Sequence, residues 1–169
     1  SDPFANDSDD GELNTSVING IIGSANYDIG HIVNTEGGGL AVLGGVCSPF
    51  FKGDGVTGAS NPINDAFYID YVAHEIGHQF GADHTFNGTA DACSGNRVSS
   101  SAYEVGSGST IMSYAGICAD QNLQSHSDAF FHARSIDQIN EYLQTSTGSS
   151  CGTVTGNINN TAVVNAGSD

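Results

Sequence analysis

Residues 67–80 read FYIDYVAHEIGHQF and place two histidines, His74 and His78, four residues apart in a stretch with helical patterning. Asn64 or Asp65 is positioned to cap this helix, and Gly81 to end it by supplying a left-handed backbone. A helix turns once in 3.6 residues, so His74 and His78 lie one above the other on one face and can bind the same metal ion. Glu75 is rotated by about 100° from His74, so it need not be a ligand and can address a water beside the metal. Once Gly81 turns the chain back, His84 can supply a third nitrogen. Three histidines leave a position open for water, which is the arrangement of a catalytic zinc and not of a closed structural site. With this chain's frequencies of His, Glu and Gly, an accidental match is expected on the order of 3 times in 100,000 such chains.

The rest of the sequence narrows the setting. At 169 residues the chain is one domain of common size. Isoleucine and valine (13 and 11) outnumber leucine (5), which favours a sheet in the core over a helical bundle. Nineteen acidic residues face three basic ones, Lys52, Arg97 and Arg134, for a net charge of −16. Phosphate backbones and anionic membranes are bound by Lys and Arg clusters, so nucleic acid is excluded as a partner. The apolar runs are only a few residues long, so no membrane segment is expected. Cys47, Cys93, Cys118 and Cys151 are far apart with no CxxC pair; the even count fits two disulfides and an oxidising, extracellular compartment.

Apolar spacing predicts a helix over 12–23, stopped by Gly23, then a strand over 28–35 and a turn at 36–38. A second strand is expected over 39–46, an irregular segment over 48–64 and a polar, Gly/Ser-rich stretch over 85–109. A last helix over 135–143 could begin with a capping box between Ser135 and Gln138. Residues after Cys151 read as a polar linker. Asp7, Asp9 and Asp10 could supply oxygens to Ca²⁺, although their spacing is not that of an EF-hand and a solvated acidic loop is the simpler reading. His31, His126 and His132 have no motif spacing and are read as structural or surface residues.

His74 through His84 resembles the extended zinc motif of the metzincin metallopeptidases, HExxHxxGxxH. Ser109-Thr110-Ile111-Met112-Ser113-Tyr114 resembles their Met-turn, in which the thioether of Met112, the only methionine, would pack beneath the histidines. Gly39–Val46 with Cys47, and Phe130 through Ser135 with the helix and Cys151 that follow, are most similar to bacterial members of the reprolysin/adamalysin branch, M12B. The resemblance implies an α/β fold, a metzincin-like mixed twisted sheet with an active-site helix and a loop-rich C-terminal subdomain. It also implies disulfides Cys47–Cys151 and Cys93–Cys118, and a substrate strand pairing with the edge residues Leu40, Ala41 and Val42. Residues 115–125 would wall the primed side of the pocket. Two positions depart from the branch: Thr85 stands where Asp usually follows the third histidine, and Tyr114 gives a Met-x-Tyr sequence similar to astacins and serralysins. In those families such a tyrosine reaches the zinc or the transition state.

The expected organisation is a catalytic domain over 1–151 and a tail over 152–169; the strand, helix and strand with which family domains usually begin are not found, so the chain is either a fragment, the favoured reading, or a domain with a reduced sheet. An upstream chain or inhibitory pro-segment would belong to the missing part. The expected function is that of a secreted zinc endopeptidase acting on protein or peptide substrates. His74, His78 and His84 would hold Zn²⁺, Glu75 would act as the general base, and Tyr114 would donate to the developing oxyanion. The competing reading is a catalytically silent metzincin-like module that binds protein or peptide, against which the intact Glu75 argues.

Overall fold

The computed structural model describes residues 2–153 and 155. Helix α1 (Asp10–Ile22) leads through a single 3-10 turn to strand β1 (Ile32–Asn34), then β2 (Gly38–Ala41) and β3 (Gly55–Gly58). The three strands form a small mixed sheet in the order β1-β3-β2, with β1 parallel and β2 antiparallel to β3. The central strand is the one that the sequence hides, since β3 lies in the stretch expected to be irregular. Two of its four residues are glycines, so it shows no period-2 pattern, yet all four are buried.

Both predicted strands are shorter than expected. In β2 the register pairs Leu40 with Val56, and Val42 N–H continues it by donating to Asp54 O at 3.0 Å. Main-chain groups alternate sides along a strand. Those of Leu40 and Val42 therefore face β3, while those of Gly39 and Ala41 face outward from the sheet edge. Past Ala41 the chain leaves the sheet: Gly44 N–H donates to His78 O (2.8 Å) and Val46 N–H to Gln79 O (3.1 Å). These bonds satisfy carbonyls that a helix end leaves free.

The long helix expected over 67–80 begins slightly earlier and changes pitch twice. It opens as α2 (Asn64–Phe67), widens to a π-helical stretch (Tyr68–Ala73) and tightens again as α3 (His74–Gln79). Neither Asn64 nor Asp65 caps it. Ile63 holds the cap position without a side-chain bond, and Asn64 already lies in the first turn at φ 69°. Gly81 does end the helix, at φ 87° with its N–H on His78 O. Residues with a Cβ resist that backbone geometry.

From Gly81 to His132 the chain is mostly loop, with single 3-10 turns at Asp91–Cys93 and Ala119–Gln121 and an isolated bridge between Phe86 and Glu104. Helix α4 (Ala133–Thr145) follows. The expected capping box does not form. His132 caps α4, its Nδ1 accepting from Arg134 N–H at 3.0 Å, and Gln138 instead bonds Asp83 at 2.7 Å. Disulfides join Cys47 to Cys151 and Cys93 to Cys118. One apolar cluster packs Met112, Ile111 and Ala82 between the long helix and α4, and a second packs Phe86 with Cys93 and Cys118. Apart from residues 152, 153 and 155, the tail expected over 152–169 lies outside the described residues.

Candidate metal centre

His74, His78 and His84 come together although the last of them lies beyond the helix. Their Nε2 atoms are 3.1 Å apart between His78 and His84 and 3.2 Å apart between His84 and His74. Each ring is held from behind by a main-chain carbonyl: Nδ1 of His74 bonds Ile111 O (2.7 Å), that of His78 bonds Ala82 O (2.7 Å) and that of His84 bonds Asn96 O (2.8 Å). A carbonyl only accepts, so each Nδ1 carries its hydrogen, and in a neutral ring the Nε2 is then a bare lone pair. Burial, with the neighbouring imidazoles, holds His74 well below the usual histidine range. Burial first, then His84, pushes His78 down to about 4, and burial lowers His84 as well. The three rings are therefore neutral.

Two pairs of these lone pairs face each other at hydrogen-bond distance with no hydrogen to share, and all three ligand atoms lie within 4.8 Å of one another, an arrangement that calls for a cation between them. The donor set fits zinc. Nitrogens around a tetrahedral ion with bonds of about 2.0–2.1 Å stand about 3.3–3.4 Å apart, close to the 3.1 and 3.2 Å from His84 to its two partners. Each Nδ1–carbonyl bond fixes the tautomer that such a ligand requires. Among the described residues these histidines are the only group of three or more His, Cys, Asp or Glu whose ligand atoms converge in this way. The calcium expectation at Asp7, Asp9 and Asp10 is not supported. The Asp10 carboxylate accepts from the N–H groups of Ala5 and Asp7, and that of Asp7 accepts from Asp9 N–H, so these oxygens order the entry to α1.

A cleft of about 520 Å³ opens beside the histidines, lined by His74, Glu75, Tyr114, Gly39, Asp70 and His126 among others. Glu75 is 8% exposed, and burial pushes its carboxyl up to about 7. Its carboxylate fills the space that a side chain at Gly39 would need, so the edge strand runs directly against it. Tyr114 packs edge-on to His84 and tilted against Phe86 and His74, with ring centroids 4.6, 4.6 and 5.6 Å away. Burial and then the charge of Glu75 push its hydroxyl up to about 12, so it stays a donor. Met112 is fully buried against Ala82 and Ile111, and its turn carries the Ile111 carbonyl that orients His74.

Of the isolated histidines, His31 is structural, bonding Gln79 Oε1 (2.8 Å) and Thr57 Oγ1 (2.6 Å) between helix and sheet. His126, read from sequence as an isolated side chain, lies at the cleft and pairs with Asp70 at 2.8 Å. Sequence reading also missed Asn96, whose carbonyl holds the third histidine. A main-chain contact leaves no signal in residue type.

This helix, turn and histidine cluster are those of a zinc metallopeptidase of the metzincin kind. Residues 1–145 match the metallopeptidase family M12B, reprolysin-like, and the chain belongs to that family. A comparison with curated proteins gives no match.

Proposed function

We propose that the chain is a secreted zinc endopeptidase whose catalytic domain spans residues 1–151. The observation that carries this reading is the convergence of three neutral, carbonyl-anchored Nε2 atoms beside a buried carboxylate at the wall of an open cleft. When bound, Zn²⁺ supplies Lewis acidity, making water more acidic and polarising the scissile carbonyl. A Glu75 carboxylate oxygen takes the proton from the attacking water and passes it to the leaving amine nitrogen. The Tyr114 hydroxyl donates to the carbonyl oxygen as negative charge develops there. Met112 supports the histidines from below without binding the metal.

An extended peptide adds to the free edge of β2 by main-chain pairing. Of Leu40, Ala41 and Val42, only Ala41 turns its main-chain groups outward; with those of Gly39 they form the substrate ladder. The exposed Leu40 side chain then contributes contact rather than hydrogen bonds. Two disulfides support an extracellular setting, and among the described residues no helix is long and apolar enough to cross a membrane.

The test is zinc stoichiometry with reversible loss of cleavage. The purified chain is expected to hold one zinc, to cut denatured casein, to lose both on exposure to a chelator and to regain both with zinc. Cleavage that persists after the metal is removed contradicts the proposal.

A further inference from the structure

Thr85, directly after the third histidine, is fully buried, and its polar groups are all engaged. Its N–H donates to Met112 O (3.0 Å), its carbonyl accepts from Glu104 N–H (2.9 Å), and its hydroxyl donates to the Glu104 carboxylate. The same carboxylate reaches the Met-turn. It accepts from Thr110 Oγ1 (2.6 Å) and from the N–H groups of Ser109 (2.9 Å) and Thr110 (3.1 Å). A carboxylate offers about four lone-pair sites, and here four donors fill them. Burial pushes Glu104 up, but these bonds outweigh it and hold it below the usual carboxylate range, so it is ionised.

From this geometry we infer that Glu104 is a positioning residue for the metal centre, a single carboxylate that locks the segment carrying His84 to the turn carrying the Ile111 carbonyl behind His74. Neither histidine hydrogen-bonds Glu104. Its effect passes through Thr85 on one side and through Thr110 and Ile111 on the other. Thr85 carries no charge of its own, and the carboxylate that bonds both it and the Met-turn comes from nineteen residues further along the chain. The inference rests on the reading that the three histidines hold zinc.

Glu104→Gln removes the charge and leaves one acceptor oxygen for donors that now share two, Oε2 taking both threonine hydroxyls and Oε1 the N–H groups of Ser109 and Thr110. Thr85→Val removes only the arm next to His84 and nearly keeps its shape. Thr15→Val serves as a control of stability alone, since the Thr15 hydroxyl bonds Asp54 and Gly53 N–H between α1 and the loop before β3. Zinc affinity is measured by competition with a chromophoric chelator, and ligand geometry by the visible spectrum of the cobalt-substituted protein. Loss of a group bonded directly to a ligating histidine typically weakens metal binding by about 10–100-fold, and a group one step further out falls at the lower end, about 10-fold. Glu104→Gln and Thr85→Val are expected to fall at that lower end and to shift the cobalt bands, while Thr15→Val lowers the melting temperature and leaves both unchanged. If Glu104→Gln does not fold, Thr85→Val decides by the same criterion. Wild-type affinity and spectrum in Thr85→Val and in any folded Glu104→Gln overturn the inference. A wild-type protein that binds no zinc overturns the metal reading itself, and this inference with it.

Discussion

Gly77 lies against the sulfur of Met112: a Cβ at position 77 would overlap Sδ and press on the Phe131 ring. The third residue after His74 is therefore glycine because the Met-turn packs under the helix at that point. Overpacking a well-filled core costs about 1–3 kcal/mol. Gly77→Ala is expected to lower stability by that amount despite alanine's better helix propensity, as read by thermal or urea unfolding. Unchanged or raised stability would mean that Met112 does not sit tightly beneath the helix.

Tyr114→Phe keeps the ring among His74, His84 and Phe86 and removes only the hydroxyl. Removing a single oxyanion donor costs about 100–1,000-fold in turnover. A fall of at least about 100-fold in kcat is expected, with KM nearly constant. Because burial and Glu75 hold that hydroxyl at about 12, it remains protonated through neutral and mildly alkaline pH. An unchanged kcat reduces Tyr114 to a packing residue.

Glu104 makes acid stability informative. Its carboxyl is held below its ordinary value of 4.5, so as acid is added the unfolded chain takes up this proton before the folded one does. The stabilisation is complete above pH 4.5 and is lost as pH falls through the folded value. Metal-free wild type is expected to lose melting temperature more steeply below pH 4.5 than metal-free Glu104→Gln. Parallel curves would show that this carboxyl is not specially stabilised.

The disulfides close segments with sequence separations of 104 and 25, which in the chain-entropy model stabilise by about 3–5 kcal/mol each. For a chain of this size, 1 kcal/mol moves the melting temperature by about 2–4 °C. Reductant is expected to lower it by at least about 6 °C. A melting curve that ignores reductant counts against both bridges.

The sequence made the metal site more legible than the sheet. His74, Glu75, His78 and Gly81 follow helical spacing, which is local and depends on residue type. Strand β3 escaped because its burial comes from helix α1, the long helix and two neighbouring strands, not from its own pattern. The helix caps were misread for a related reason. Gln138 is drawn to Asp83, and α4 starts before Ser135 with His132 at its cap. The disulfide pairing came from family resemblance alone, since four cysteines allow three connectivities. Glu104 stands in a polar, Gly/Ser-rich stretch with no periodicity, and only the fold brings it between Thr85 and Thr110.

The most direct measurement compares cleavage of denatured casein by the parent chain and by Glu75→Ala at equal zinc content. Cleavage by the parent alone is expected, with the variant lower by several orders of magnitude, which assigns proton transfer to Glu75. Equal cleavage by both would contradict Glu75 as the base. If neither cleaves while both hold zinc, the chain is not by itself an endopeptidase: it is either part of a longer catalytic unit or a module that binds without hydrolysis.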